Sequence, residues 1–285
     1  MNTRAALLLL VPAGVFFLLS FAVPLVLVGR LAFFATDYGQ REFVGLANFI
    51  NATRDANFLR SFGNVFWQVL LVIPGGLGIP YAVTMFLQRF SRRWQAAARF
   101  ICYVPALSSG LVMALLWQWL LMRDGVVNYA LSLMGIAAIP WMGQPWPARV
   151  AVMLVGMAGI GTFVILYSAT VLSIPQELHD AAVVDGATER QYRRLVVGPL
   201  LRPTVLLALL LTIVGTMQTW ESIYVLFPEG GPKGAVASPV YEIFLTAFMY
   251  GRAGYAAAKG LILLVVIAAI VVLKQRIERW AGAER

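Results

Sequence analysis

Six long apolar runs are the feature that most constrains how this chain folds. A helix needs about 20 mainly apolar residues to cross a bilayer, and runs of that length recur along the 285 residues. The predicted spans are residues 5–28, 64–87, 100–121, 150–172, 203–226 and 256–273. The first run starts like a signal peptide, but it is too long for one and has no clear cleavage site. We therefore predict an all-α, polytopic membrane protein with six transmembrane helices in one domain of residues 1–285.

The composition excludes several other classes of protein. Hydrophobic residues make up 60% of the chain and charged residues 12%, whereas soluble domains average roughly half and a quarter. The single Cys102 cannot form an internal disulfide, and with the single His179 it cannot complete a His/Cys metal site. The net charge is +9, but the basic residues lie at the ends of apolar runs. That distribution is typical of membrane topology rather than of nucleic-acid binding.

Lys and Arg are unevenly divided among the connections. Thirteen of the 22 lie at Arg4, in the short links after the second and fourth runs, and in the C-terminal tail. The positive-inside rule therefore places both termini in the cytoplasm. The external links are then residues 29–63, 122–149 and 227–255. Trp141 and Trp146 in the second external link fit interfacial anchors, and residues 43–62 have the spacing of a helix at the outer surface.

The fourth link, residues 173–202, is more than a simple connector. Ser173 and Gln176 form a capping-box pattern, Gly186 fits a left-handed helix end, and a second capping box begins at Thr188. Two short helices joined at Gly186 are expected to project into the cytoplasm. The residues alone leave two interpretations open. The first helix either docks into a groove of a partner or lies on the membrane surface with a solvated charged face.

The same link carries a motif that resembles a known family. Residues 177–187 read ELHDAAVVDGA, and eight residues later residues 196–199 read VVGP. This is similar to the EAA loop of the permease subunits of binding-protein-dependent ABC importers. The family pattern is E-A-A, two residues, D-G-A, eight residues, then I-x-L-P. The chain departs from it where Asp180 replaces Glu and where Val196 and Gly198 replace Ile and Leu.

The resemblance extends over most of the chain from about residue 43. Further segments resemble the carbohydrate branch of these permeases, the maltose and glycerol-phosphate type. They are FVGLANF at 43–49, WQW at 117–119, GVVN at 125–128, IYVL at 223–226, GGP at 230–232 and GYAAA at 254–258. Residues 227–229, which read FPE, depart from the branch.

The resemblance implies the fold of a type I ABC importer permease, with no catalytic residue and no metal site. ATP and magnesium would be bound by a separate ATPase subunit, which agrees with the lack of a G-x-x-x-x-G-K-[ST] loop in this chain. The implied partners are a second permease subunit, two copies of the ATPase, an external solute-binding protein and membrane lipid, with no nucleic acid. The implied location is the inner membrane of a bacterium or archaeon. The residues implied to couple to the ATPase are Glu177, Asp180, Ala181, Ala182, Asp185, Gly186 and Ala187.

Polar residues in the predicted fifth span indicate a substrate path, because such groups are unfavourable in lipid and usually face a cavity. Glu221 is the only acid placed inside a predicted span. Carboxylate, amide and hydroxyl groups can bond sugar hydroxyls, and Trp and Tyr can stack on sugar rings. Helical spacing predicts one shared face for Met217, Trp220, Glu221 and Tyr224. The alternative is ordinary helix packing. The candidate path residues are Glu221, Trp220, Met217, Tyr224, Gln218, Trp117 and Gln118.

The predicted function is import of a sugar or oligosaccharide delivered by an external binding protein, with this chain forming half of the path. A polyol or a glycerol-phosphate-type solute is the alternative cargo, although the scarcity of basic residues within the spans favours a neutral solute. A stand-alone secondary carrier is disfavoured, since no inverted repeat is evident. A membrane-embedded enzyme is disfavoured as well, since His179 has no partner in a recognisable catalytic motif.

Overall fold

The computed structural model describes residues 11–37 and 40–283 and consists almost entirely of helices. In chain order the elements are α1 (Val11–Leu31), β1 (Phe34–Asp37), β2 (Gln40–Phe43), α2 (Ala47–Arg54), α3 (Ala56–Leu87), α4 (Arg92–Leu107), α5 (Gly110–Leu120), α6 (Val126–Leu133), α7 (Pro145–Leu172), α8 (Gln176–Val184), α9 (Glu189–Gln218), α10 (Glu221–Leu226), α11 (Pro239–Met249) and α12 (Ala253–Ala283). Five of these are long and apolar enough to cross a membrane: α1, α3, α7, α9 and α12. The prediction of an all-α fold is confirmed, and the two short strands were not predicted. Residues 5–10 of the predicted first span lie outside the described residues.

The predicted third span, residues 100–121, is bent. Helices α4 and α5 meet there at 93° and complete a sixth span if the pair is counted as one. The break lies at Ser108 and Ser109, whose backbones are extended with ψ of 146° and 149°. The hydroxyl of Ser109 accepts a hydrogen bond from the N–H of Val112 at 3.3 Å and so caps α5. The predicted span therefore consists of two helices, because a serine cap starts a new helix within it.

The predicted fifth span, residues 203–226, also departs from the expectation at both ends. Helix α9 begins at Glu189, well before Pro203, and ends at Gln218. Thr219 is extended with ψ of 119°, and Trp220 has φ of −136°. Ser238 donates a hydrogen bond to the carbonyl of Thr219, which satisfies an acceptor that the interrupted helix leaves free. The break falls within the polar stretch GTMQTWES at 215–222, which the span prediction treated as part of one helix.

The chain folds into two compact units. The first comprises the described residues up to Leu59 and residues Glu242–Val266. In it the amide of Asn48 donates to the carbonyls of Ala32 and Phe34, both at 2.9 Å. The N–H of Gly254 donates to the Thr36 hydroxyl at 2.6 Å. A Cβ at position 254 would overlap the Phe34 carbonyl, so this approach of α12 to the hairpin requires glycine.

The second unit comprises Arg60–Tyr241 and the chain from Ile267. Its core is a cluster contributed by α3, α7 and α9, namely Leu77, Met85, Tyr167, Val197, Leu201 and Ala208. A Cβ at Gly161 of α7 would overlap the Cys102 carbonyl of α4, so these helices pack backbone to backbone. The prediction of one domain over residues 1–285 stays a prediction.

Side-chain amides of the second unit hold its connecting loops. Asn64 donates to the carbonyls of Gly234 at 2.8 Å and Ala237 at 3.0 Å. Asn128 accepts from the Trp141 indole at 3.1 Å. Trp141 is only 8% exposed, so its predicted role as an interfacial anchor was wrong, whereas the 52% exposed Trp146 keeps that interpretation.

Candidate functional site

A cavity of about 650 Å³ lies within the second unit. Its volume falls in the range of roughly 300–1,000 Å³ that is typical of small-molecule sites. Its walls come from α3, α4, α5, α7, α9 and α10. The polar lining residues are Gln68, Ser108, Thr162, Thr212, Thr216, Gln218, Thr219, Glu221 and Ser222. Larger apolar residues that line it are Val72, Met113, Val152, Met153, Val155, Ile160, Phe163, Leu211 and Trp220.

The break after α9 supplies the densest part of the polar wall. Residues 218–222 all line the cavity, because the chain leaves the helix at Gln218 and starts α10 at Glu221. The hydroxyls of Thr216 and Thr219 donate to carbonyls one turn earlier, at 2.8 and 2.9 Å. Their donors are thereby used within the helix, and their oxygens keep lone pairs for a ligand.

Glu221 lies where two helix N-termini come together. It is in the first turn of α10, which packs along α5, and its Oε2 lies against Gly110, the first residue of α5. A Cβ at position 110 would overlap that oxygen. At the other end of the contact, Gln118 of α5 donates to the carbonyl of Val225 at 3.2 Å. The carboxylate is therefore held against the positive end of the α5 dipole.

Gln68 was not singled out from the sequence. Its side chain is 1% exposed, and its Nε2 donates to the carbonyl of Val236 at 3.1 Å. Its Oε1 has no hydrogen-bond partner among the described residues. A buried amide inside an apolar run was the available signal, since such groups in spans mark cavities by default.

The candidate path residues are only partly brought together. Gln218, Trp220 and Glu221 line the cavity. Met217 is buried in α9, Tyr224 is 45% exposed on α10, and neither lines it. The expected common face of Met217, Trp220, Glu221 and Tyr224 was wrong, because α9 ends before Trp220 and the helical spacing does not continue across the break.

The two candidates on α5 do not line the cavity either. Gln118 is committed to the α10 backbone. Trp117 has a buried indole N–H without a hydrogen-bond partner among the described residues. Both therefore lie on the packed side of α5.

The fourth link forms an exposed helix with well-defined ends. Helix α8 carries Glu177, Asp180, Ala181 and Ala182, and Asp185 is its C-cap. Gly186 has φ of +71° and donates to the carbonyl of Val183 at 3.0 Å, and Ala187 donates to that of Ala182 at 2.9 Å. This is a Schellman motif, so the predicted left-handed stop is confirmed.

The two predicted capping boxes have different outcomes. Thr188 and Gln191 form one at the start of α9, as predicted. Ser173 instead donates to the carbonyl of Thr170 at 2.8 Å, and Pro175 is the N-cap of α8 without a side-chain cap. The first capping box was therefore wrong, because the serine hydroxyl bonds back to the preceding helix.

Helix α8 is attached to the helix that reaches the cavity. The His179 ring packs edge-to-face on Tyr192 with ring centroids 4.9 Å apart. Tyr192 lies in the first turns of α9 and packs against the core cluster of the second unit. Thr212, Thr216 and Gln218 at the far end of α9 line the cavity. One helix of 30 residues, about 45 Å long, thus links the exposed loop to the cavity.

Within residues 11–37 and 40–283, no group of three or more His, Cys, Asp or Glu side chains is placed to hold an ion. The polar groups of the cavity are hydrogen-bonding groups, which suit a hydroxyl-rich ligand.

Comparisons with known proteins agree on the type of molecule. The family described as "Binding-protein-dependent transport system inner membrane component" matches residues 77–282. The chain is 25% identical over 268 residues to the arabinooligosaccharides transport system permease protein AraP of Bacillus subtilis, covering 92% of this chain and 84% of that protein. It is 28% identical over 248 residues to the trehalose/maltose transport system permease protein MalF of Thermococcus litoralis, covering 85% and 81%.

A solved structure extends the similarity to the fold. A chain of a bacterial ABC transporter involved in the import of the acidic polysaccharide alginate superposes with a TM-score of 0.83 at 25% identity. The match covers 97% of this chain and 96% of that chain. The match therefore shows the fold of an ABC importer permease.

Proposed function

Because the chain belongs to the family of inner membrane components of binding-protein-dependent transport systems, we propose that it is the permease of an ATP-driven importer for sugars or oligosaccharides. As a member of that family it is a non-catalytic membrane subunit. The names of its relatives, which state transport of arabinooligosaccharides and of trehalose and maltose, support a saccharide as cargo. The observation that carries the proposal is the cavity at one end of α9 and the exposed helix α8 at the other.

The cavity is the proposed part of the substrate path. Its wall combines hydroxyl, amide and carboxylate groups with apolar side chains and Trp220. A sugar ring presents both hydroxyls and an apolar face, and binding sites commonly join a mostly apolar lining to a few placed polar groups. Glu221, Trp220 and Gln218 are the proposed contacts from the sequence, and Gln68 and Ser222 join them.

Helix α8 is the proposed docking element for the ATPase. Val184 is 86% exposed and Val183 59% exposed, so both side chains are accessible for packing against a partner. Glu177, Asp180, Ala181, Ala182, Asp185, Gly186 and Ala187 are the proposed contact residues. ATP and magnesium are proposed to be bound by that ATPase.

Helix α9 is the proposed mechanical link. Displacement of α8 by the ATPase is transmitted through the contact of His179 with Tyr192 to the helix that carries Thr212 and Thr216 into the cavity. The spans then alternate between inward- and outward-open states. The remaining proposed partners are a second permease subunit and an external solute-binding protein, with both termini of this chain in the cytoplasm.

The assembly is tested by purifying this chain from its native membranes in a mild detergent and identifying what comes with it by mass spectrometry. We expect a second six-span permease, an ATPase with a phosphate loop and a solute-binding protein. Recovery of this chain alone, still active in transport, would contradict the proposal and favour a secondary carrier.

The coupling role is tested by Asp185→Arg and Gly186→Pro. Both variants are expected to insert and assemble but to separate ATP hydrolysis from uptake, because they alter the end of α8. Arg93→Glu, a charge reversal at an exposed residue of the second link, is the matched control and should retain coupling. The ratio of sugar taken up to ATP hydrolysed, measured in proteoliposomes, decides the outcome. A wild-type ratio in both α8 variants would contradict the docking role.

A further inference from the structure

The cavity has a one-sided charge. Of the side chains that line it in the described part of the chain, Glu221 is the only acid, and no Lys, Arg or His is among them. The other polar lining groups are amides and hydroxyls. From the described residues of this chain, a ligand in the cavity therefore meets one carboxylate and no basic side chain.

The Glu221 carboxylate is not neutralised by a neighbouring side chain. Within the described residues it has neither an ion pair nor a hydrogen bond, although it is half-buried. Its oxygen instead rests against Gly110 at the start of α5, and the positive end of a helix dipole favours a negative charge there. No Lys, Arg or His among the described lining residues lies at this end of α5. An anionic ligand beside Glu221 would therefore find no basic side chain there to pair with.

We infer that Glu221 makes this cavity select against negatively charged saccharides, so that uncharged oligosaccharides are the substrate class of the importer. The inference rests on the proposed sugar-import function and adds the charge of the cargo. Two like charges about 6 Å apart in a partly buried site repel strongly enough to weaken binding by ten- to a hundredfold. A uronate unit near Glu221 meets that repulsion, and a neutral unit does not.

The fold by itself does not determine this selectivity. The solved chain that superposes with a TM-score of 0.83 comes from an importer of an acidic polysaccharide. The fold is thus compatible with an acidic cargo, so a preference for uncharged cargo has to come from individual side chains that line the path. Glu221, with Gly110 making room for it, is the side chain that the cavity of this protein offers.

The test measures ligand binding to the assembled complex, with its partner permease and ATPase, in lipid nanodiscs and without the binding protein. Equilibrium dialysis compares three uncharged trimers, maltotriose, arabinotriose and N-acetylated chitotriose, with trigalacturonate. We expect the best uncharged trimer to bind at least about tenfold more tightly than trigalacturonate. In Glu221→Gln that preference should fall to about threefold or less, whereas Glu221→Asp should retain it.

Glu229→Gln is the matched control, because Glu229 is an exposed acid in an external link that does not line the cavity, and it should retain the preference. If Glu221→Gln fails to assemble, Glu221→Thr takes its place. Equal wild-type affinity for trigalacturonate and the best uncharged trimer would overturn the inference, and so would an unchanged preference in the charge-removing variant. If the wild-type complex binds no trimer of either kind, the sugar-import proposal fails and the inference falls with it.

Discussion

Two carboxylates of this protein have opposite surroundings. Asp55, in the first unit, accepts hydrogen bonds on Oδ1 from the N–H groups of Asn57 at 2.9 Å and Phe58 at 3.1 Å. Its Oδ2 contacts the Lys259 ammonium at 2.8 Å and accepts from the Tyr255 hydroxyl at 2.9 Å. Glu221, in the second unit, has no such partner among the described residues. The oxygens of Asp55 already accept hydrogen bonds from the protein, so this carboxylate stabilises the fold. The oxygens of Glu221 accept none from the described residues, so they are available to a ligand.

Lys259, the cation that pairs with Asp55, is also surrounded by interaction partners. The Lys259 side chain is 3% exposed and also donates to the Thr246 hydroxyl at 3.0 Å. Its ammonium lies 4.7 Å from the centroid of the Tyr255 ring. The first unit thus contains an ion pair between the buried Lys259 and the partly buried Asp55, which joins the start of α3 to α12. Substitutions that disturb Asp55 or its partners are therefore expected to lower stability. Substitution of Glu221 is expected to change which ligand binds.

The largest expected effect is on stability, for Lys259→Met. Removing one member of a buried ion pair leaves the other charge uncompensated, and this typically costs about 3–5 kcal/mol. Lys274→Met is the matched control, since the Lys274–Glu278 pair is more exposed and such pairs contribute only about 0.3–0.5 kcal/mol. Thermal unfolding of the purified complex in detergent, followed by tryptophan fluorescence, checks the difference. Equal loss of stability in the two variants would contradict the structural role of the pair.

A smaller loss of stability is expected for Tyr255→Phe. The change removes one hydrogen bond to a charged acceptor and nothing else, which costs about 1.5–3 kcal/mol. Tyr129→Phe, at a position 65% exposed, should leave the unfolding temperature unchanged. The same unfolding assay applies, and an unfolding temperature of Tyr255→Phe equal to the wild-type value would mean that Asp55 does not need this donor.

Stability should also depend on acid pH through Asp55. Burial alone raises the pKa of this carboxyl, but the hydrogen bond and charge of Lys259, the Phe58 N–H and the Tyr255 hydroxyl outweigh burial and hold it below the ordinary 3.8. Because the folded pKa is the lower one, the stabilisation is complete above the unfolded value and disappears as the pH falls through the folded pKa. Unfolding temperatures measured from pH 6 downward should therefore decline below about pH 4 less steeply in Asp55→Asn than in the wild type. Parallel curves would contradict the assignment.

The smallest effect on stability is expected for Glu221→Gln. The carboxylate has no side-chain partner among the described residues and loses only its interaction with the α5 dipole, so the change should cost no more than about 0.3–1 kcal/mol, as measured in the same unfolding assay. A loss comparable to that of Tyr255→Phe would show that Glu221 has a structural role instead.

The sequence predicts α3, α7 and the helix ends in the fourth link, because these depend on local patterns. Apolar length places α3 and α7, and capping chemistry places Gly186 and Thr188. What it misses depends on contacts between distant parts of the chain. The breaks at Ser109 and Thr219 lie at short polar stretches, SSG at 108–110 and GTMQTWES at 215–222, and the second is stabilised by Ser238, 19 residues away.

The site was predicted in the same uneven way. Glu221 stands out because an acid within a span is rare, and the structure puts it in the cavity wall. Met217 and Tyr224 were predicted to line the path because they share a helical spacing with Glu221. That spacing does not hold, because the helix is broken at Trp220. The Asp55–Lys259 pair joins residues about 200 positions apart in the sequence, and no periodicity of either segment indicates that pairing.

The most direct test of the division between the two carboxylates is sugar uptake into proteoliposomes that contain the whole importer, normalised to the amount of folded complex. Glu221→Gln is compared with Tyr255→Phe in this assay. We predict that Glu221→Gln alters the KM for the sugar at a wild-type unfolding temperature. Tyr255→Phe should lower the unfolding temperature and keep the KM. Unaltered normalised uptake in Glu221→Gln, with the same KM and the same sugar preference, would contradict the account.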